Sequence, residues 1–193
     1  MILTSCSETS KLENVNKILL FGDSLMSGYG LKENQLLSVI LENDLKEAGY
    51  NIKVVNGSIS GDTSEDGLDR IEEYTSNSEI DLIVLGLGAN DMLRRINPDR
   101  TESNLRKIIE IIKTNNIDII LAGMKASPTN GLAYKKKFDN IFPKLAKEYD
   151  LTLIPFLLKK VALNPKLNQN DGIHPNHEGI LIISQTIKEN IIN

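Results

Sequence analysis

Lys17-Ile18-Leu19-Leu20-Phe21-Gly22-Asp23-Ser24-Leu25 sets four apolar residues in an unbroken row directly ahead of Gly-Asp-Ser. An unbroken run, rather than an alternating one, suits a strand covered on both faces, as in a parallel sheet between helical layers. The serine then stands where the strand ends, a good place for a nucleophile. A serine hydroxyl is a weak attacker at neutral pH and needs an adjacent base, usually a histidine. The chain's two histidines both lie far downstream, in Asp171-Gly172-Ile173-His174-Pro175-Asn176-His177.

Similar apolar runs recur along the chain. Lys17–Phe21, Ile52–Asn56, Asp81–Leu87, Asp118–Met124 and Leu151–Ile154 are predicted strands. Between them lie amphipathic stretches with apolar residues at helical spacing. Asn34–Ala48 presents Leu37, Leu41 and Leu45, with Gly49 as a stop. Thr63–Tyr74 presents Leu68 and Ile71, with Asp62 and Thr63 as expected caps. Asp99–Thr114 presents Leu105, Ile108, Ile109 and Ile112. Leu132–Tyr149 presents Phe138, Ile141, Phe142 and Leu145, with a kink expected at Pro143. Asn176–Ile192 closes the chain, with Asn176 as its N-cap. Strands alternating with helices predict βαβ units and an α/β fold.

In such a sheet, ligands bind outside the carboxyl ends of the strands. Ser24, Gly61 and Asn90 follow the first three strands, and Asp171–His174 follows the last, so all reach one edge. The chemistry needs a nucleophile, a base, an orienter for the base and donors for a developing oxyanion. Ser24 supplies the hydroxyl, His174 the base and Asp171 the orienter. The Ser24 and Gly61 N–H groups and the Asn90 amide are the candidate oxyanion donors. Asp23 and Asp91 read as carboxylates that shape their own turns. His177, on the first turn of the last helix, reads as a solvent-facing residue. A metal site from Asp171, His174 and His177 lacks a fourth ligand nearby and leaves Ser24 without a role. Neither Gly86-Leu87-Gly88-Ala89-Asn90-Asp91 nor Gly28-Tyr29-Gly30 completes a dinucleotide fingerprint.

Gly22-Asp23-Ser24-Leu25, Gly61, Gly88-Ala89-Asn90-Asp91 and Asp171-Gly172-Ile173-His174-Pro175 resemble the four sequence blocks of the SGNH (GDSL) hydrolases. The stretches around Val54–Thr63 and Phe142–Glu148 are similar to the bacterial thioesterase I, lysophospholipase L1 and arylesterase branch. The resemblance implies a flavodoxin-like three-layer α/β/α fold with a five-stranded parallel sheet. It also implies cofactor-free hydrolysis of esters and thioesters. It makes Ser24, Gly61, Asn90 and His174 the signature residues, with Asp171 completing a triad. Ala89 stands where glycine is frequent in that block, leaving Asn90 in place.

A chain of 193 residues with 40% hydrophobic content suits one domain, expected over 17–193 after a tail of 1–16. The net charge of −4 and pI near 5.3 give no broad basic field, so nucleic acid is not an expected partner. Lys135-Lys136-Lys137 reads as a solvated helix face. No segment approaches the ~18 apolar residues of a transmembrane helix. The single cysteine, Cys6, excludes an internal disulfide. Leu3-Thr4-Ser5-Cys6 resembles a lipoprotein lipobox, without the charged and apolar segments that precede one in a signal peptide. It points to a lipid-anchored periplasmic protein or to a chance match in a cytoplasmic one. The acyl group is expected near Leu25, Met92, Leu93 and Met124, favouring short to medium chains. Arg94 and Arg95 are solvated or meet an acidic leaving group. Two other readings use the same edge: a carbohydrate O-acetylesterase, and a non-catalytic flavodoxin-like module that holds a small ligand.

Overall fold

β1 runs over Lys17–Gly22, and Ile18, Leu19, Leu20 and Phe21 are wholly buried. The computed structural model describes residue 12 and residues 14–76 and 79–192, so the Cys6 lipobox lies outside the described residues. After β1 come α1 (Ser24–Ser27), a 3-10 turn at Glu33–Gln35 and α2 (Leu37–Glu47). β2 (Lys53–Asn56), α3 (Ser64–Thr75), β3 (Leu82–Gly86), α4 (Ala89–Leu93) and α5 (Pro98–Thr114) follow. The rest is β4 (Asp118–Ala122), a 3-10 turn at Pro128–Asn130, α6 (Leu132–Asp139), α7 (Ile141–Tyr149), β5 (Thr152–Ile154) and α8 (His177–Ile192).

The five strands form one parallel sheet in the order β2-β1-β3-β4-β5. Leu19 pairs with Val55 on one side and Ile83 on the other, Val84 with Ile120, and Leu121 with Leu153. α2 packs on α8 and α3 on α5, which places one helical layer on each face, as right-handed crossovers require. The sheet is therefore the middle of three layers, and its residues are buried from both sides. Each fully buried leucine or isoleucine contributes roughly 1.5–3 kcal/mol. Leu12 and Val15, upstream of β1, are also buried. Among the described residues no helix is long and apolar enough to cross a membrane.

The strand order reverses between β1 and β3, opening a crevice where their exits diverge. Gly22 ends β1 at this point. A Cβ there would lie 2.6 Å from both the Gly86 carbonyl oxygen and the Met26 sulfur, so only glycine lets the two strand exits close up.

Four expectations need correction. The helix predicted over 132–149 is two helices that part at Asn140, three residues before Pro143. Pro143 cannot donate to the Asp139 carbonyl and its ring crowds it. The chain instead restarts a helix in which Pro143 sits in the first turn, where donors go unused in any case. His177 is half-buried rather than solvent-facing, and its Nδ1 is buried with no hydrogen-bond partner among the described residues. The first turn of α8 is pressed under the preceding segment: the Asn176 N–H donates to Leu167 O (3.0 Å), and a Cβ on Gly179 would lie 2.3 Å from that oxygen. Asp62 does not cap α3. Thr63 does, in a capping box with Asp66, while Asp62 pairs with Arg70. Lys135 is not simply solvated, since its Nζ bonds Asp139 (2.6 Å) and Ala126 O (2.9 Å). Asn176 caps α8 as expected, accepting from the Gly179 N–H at 3.0 Å.

Candidate active site

The end of β1 is turned into α1 by Asp23, whose Oδ1 accepts the Leu25 N–H at 3.0 Å. That cap fixes Ser24 at the first helical position, half-buried at the crevice. Asp23 itself is wholly buried, and among the described residues its Oδ2 meets no hydrogen-bond partner. Burial pushes its carboxyl up to about 7, opposed by the Leu25 and Ala89 N–H groups and reinforced by Asp91 and Asp62.

The Ser24 Oγ lies 3.0 Å from His174 Nε2. His174 Nδ1 lies 2.7 Å from Asp171 Oδ2, and the other carboxylate oxygen accepts the Ile173 and His174 N–H groups at 2.9 and 3.0 Å. The His174 N–H, its imidazole and the Ile173 N–H together hold the Asp171 carboxyl down at about 2. Asp171 therefore stays ionised beside an imidazole that gains positive charge as it takes a proton. The loop that carries the pair is pinned. The Gln169 N–H donates to His174 O (2.8 Å), and its side-chain amide donates to Tyr29 O (2.8 Å) and Pro175 O (3.0 Å). The Tyr29 ring lies on the His174 ring, with centroids 4.5 Å apart.

Gly61 has φ +93, a left-handed conformation that glycine adopts without strain. Its loop is tied to α1 by the Ser60–Ser27 hydroxyl contact (2.8 Å) and to α4 by Asn90 Nδ2, which donates to Asp62 O at 2.9 Å. One Asn90 amide hydrogen is thereby used and the second is left for a ligand. Among the described residues, neither the Ser24 nor the Gly61 N–H donates a hydrogen bond within the chain. Asp91 shapes its turn as expected, accepting from the Ser64 N–H (2.8 Å), the Ser64 hydroxyl (2.5 Å) and the Thr101 hydroxyl (2.9 Å).

The residues expected to meet the acyl group divide. Leu93 is exposed and Met92 half-buried at this edge, but Leu25 and Met124 are each only 3% exposed and belong to the core. A hollow of about 480 Å³ lined by Leu12, Val15 and Ile117 lies at the opposite, strand-entry edge.

The sequence profile of the GDSL-like lipase/acylhydrolase family matches residues 20–180. The chain belongs to this family. As a member it is a carboxylic ester hydrolase. It is 34% identical over 190 residues to an arylesterase of Vibrio mimicus, covering 98% of this chain and 92% of that protein. It is 37% identical over 170 residues to thioesterase 1/protease 1/lysophospholipase L1 of Escherichia coli strain K12, covering 88% and 80%. The crystal structure of AlinE4, an SGNH-hydrolase family esterase, superposes with a TM-score of 0.79 at 37% identity, over 92% of this chain and 95% of that one.

Two residues of this GDSL-like hydrolase, Arg70 and Tyr29, escaped the sequence reading, and a third, Arg94, was read only as solvated or as meeting an acidic leaving group. Arg70 Nε bonds Asp62 Oδ2 (2.7 Å), while its other nitrogens reach Gly57 O (2.6 Å) and Gly22 O (3.3 Å). It thus laces the β1 exit to the loop that carries Gly61. In sequence, Asp66 and Arg70 stand at i,i+4 and imitate an ordinary surface pair. Arg94 Nη2 donates to Gly61 O at 2.8 Å, a contact between two loops that no local pattern announces. Tyr29 meets His174 across 145 positions of sequence, and its only local signal is an aromatic between two glycines.

Proposed function

We propose that this ester hydrolase cleaves carboxylic esters and thioesters through an acyl-enzyme on Ser24. The observation that carries the reading is the continuous chain from Ser24 Oγ to His174 (3.0 Å) to Asp171 (2.7 Å). Ser24 Oγ attacks the acyl carbonyl while His174 Nε2 takes its proton. Asp171, ionised, holds the Nδ1 proton and stabilises the imidazolium. Negative charge gathers on the former carbonyl oxygen, where the Ser24 N–H, the Gly61 N–H and the free Asn90 amide hydrogen receive it. Each such donor typically contributes 10²–10³ in rate. His174 then returns the proton to the leaving alkoxide or thiolate, and the acyl group remains on Ser24. A water molecule, deprotonated by His174, repeats the attack and releases the acid and the serine.

Substrates are small-molecule esters and thioesters with short to medium acyl or aryl groups, extending to acyl-CoA and lysophospholipid. The names of the Vibrio and Escherichia relatives support this range. The resemblance of Leu3–Cys6 to a lipobox supports work in the periplasm. The test is hydrolysis of p-nitrophenyl esters over a series of acyl lengths, beside Ser24→Ala. The reading predicts activity that peaks at short or medium chains and falls by several orders of magnitude in the variant. A folded wild type that leaves every length intact but deacetylates an acetylated sugar shifts the substrate to carbohydrate. No turnover of either class, with Ser24 inert to a phosphonate, leaves a binding module instead.

A further inference from the structure

Among the described residues, six of the seven exposed large apolar side chains stand at one edge of the sheet, and the seventh, Leu181, lies on α8. Tyr29, Ile59, Leu93, Leu132, Leu163 and Ile173 are between 48% and 94% exposed. They stand, in that order, after β1, β2, β3, β4 and β5, with Ile173 in the segment that carries His174. Because the sheet is parallel, every one of these segments leaves the same edge. Each is also tied to the site: Tyr29 touches His174, Ile59 is two residues from Gly61, and Leu93 shares α4 with Asn90. Leu132 opens the helix after Asn130, whose amide donates to Met92 O (2.9 Å). Leu163 lines the same small hollow as Gly172. Single exposed leucines are ordinary, but a ring of them around a catalytic crevice is not.

Charge is sorted the same way. The segments leaving the strands (23–36, 57–63, 87–97, 123–131 and 155–176) hold seven exposed cations: Lys32, Arg94, Arg95, Lys125, Lys159, Lys160 and Lys166. They hold five carboxylates, of which Asp23, Asp62 and Asp91 are buried and Asp171 is held by His174, leaving Glu33. The helix starts that border the edge add Glu65, Asp66 and Asp99, already engaged by Arg100, Thr63 and Lys137, and an exposed Glu178. This cationic edge belongs to a chain of net charge −4. Lys125, Lys159 and Lys160 also line, beside Phe156, one end of a groove of about 730 Å³ that runs along α8 past Leu181 to Glu189 and Asn190.

We infer that the active-site edge is a docking face for an anionic lipid surface. The apolar ring seats among acyl chains while the surrounding cations meet lipid phosphates, with Lys125, Lys159 and Lys160 receiving a headgroup in their groove. Docked this way, the crevice faces the source of an amphiphilic ester, and the acyl chain reaches Ser24 without crossing water. The inference adds to the acyl-enzyme reading and does not depend on it.

The test is co-sedimentation of the intact chain with vesicles of phosphatidylglycerol mixed with phosphatidylcholine, and with vesicles of phosphatidylcholine alone, at low and high salt. Binding to the mixed vesicles only, weakened by salt, is the expected result. A Lys125→Gln, Lys159→Gln, Lys160→Gln variant should partition about a hundred-fold less, at about five-fold per lysine. A Leu132→Asn, Leu163→Asn variant should also partition less, with its charge unchanged. Both should hydrolyse a soluble acetate ester at the wild-type rate, which separates lost docking from lost folding or lost chemistry. No vesicle binding by wild type, equal binding to both vesicle types, or binding that both folded variants retain overturns the inference. So does a dimer that buries this edge and leaves vesicles unbound.

Discussion

Replacing Arg70 by methionine tests how the crevice is held. The guanidinium is 11% exposed and its Asp62 partner 12%, so the pair is largely out of water. Besides the 2.7 Å bond to Asp62, Arg70 donates to the Gly57 and Gly22 carbonyls, and its charge lies 4.0 Å from the centre of the Phe21 ring. Methionine keeps much of the packing on Phe21 but leaves the buried Asp62 carboxylate and the Gly57 carbonyl without this donor, while the Gly22 carbonyl keeps the Ile59 N–H at 3.1 Å. Breaking a buried pair from one side costs about 3–5 kcal/mol, against about 0–1 kcal/mol for an exposed pair. Lys137–Asp99, at 63% and 68% exposure, is the internal control for the exposed class. Urea unfolding reads the stability. Adding Asp62→Asn should restore part of the loss, because the orphaned charge is gone, and a double-mutant cycle measures that coupling. The same network steadies the loop between Gly57 and Asp62, so kcat on p-nitrophenyl butyrate should fall about 10–100-fold through displacement of the Gly61 N–H. A stability loss under about 1 kcal/mol together with an unchanged kcat would refute the idea that Arg70 ties the two loops.

Asp171→Asn should lower kcat about 10³–10⁴-fold, since an amide can hold the wrong imidazole tautomer, and steady-state kinetics beside wild type check it. With the Asp171 carboxyl held at about 2, the stabilising contacts of that carboxylate are present above the ordinary carboxylate range and are lost as pH falls through about 2. A pH–rate profile should accordingly show no inflection that disappears in Asp171→Asn until that acid limit. Asp23 has the opposite sign: its carboxyl is raised from 3.8 to about 7, so the stability it contributes is present in acid and lost as pH rises between those values. Asp23→Asn keeps an oxygen to accept the Leu25 N–H and should flatten that slope in thermal unfolding followed across pH. His177→Ala should change kcat by less than about three-fold, and a loss comparable with that of His174→Ala would make His177 the base.

Much of this was legible because it is local. Ile18–Phe21 reads as a doubly covered strand from its apolar run alone, and the parallel sheet then carries Ser24, Gly61, Asn90 and His174 to one edge without further information. Asp171 and His174 are three positions apart, so their contact is a property of one turn. What stayed hidden depends on distant partners or on competition between local signals. Asp62 beside Thr63 reads as a cap until Arg70 reaches back across the loop to claim it. His177 stands on a helix start that looks open until the Lys166–Asn168 segment folds over it. Leu25 and Met124 lie near the site in sequence and beside the expected acyl group. Yet α1 turns Leu25 into the core, and Met124 packs beneath the β4 exit. Pro143 announced a disturbance in the helix, and the break fell three residues earlier because a proline disrupts the carbonyl of the preceding turn.

The most direct measurement is covalent labelling by an organophosphonate ester followed by peptide mass mapping, with wild type, Ser24→Ala and His174→Ala side by side. The account predicts one phosphonyl group on Ser24 in wild type, parallel loss of esterase activity, far slower labelling in His174→Ala and none in Ser24→Ala. Label on another residue, or full esterase activity in Ser24→Ala, would contradict it.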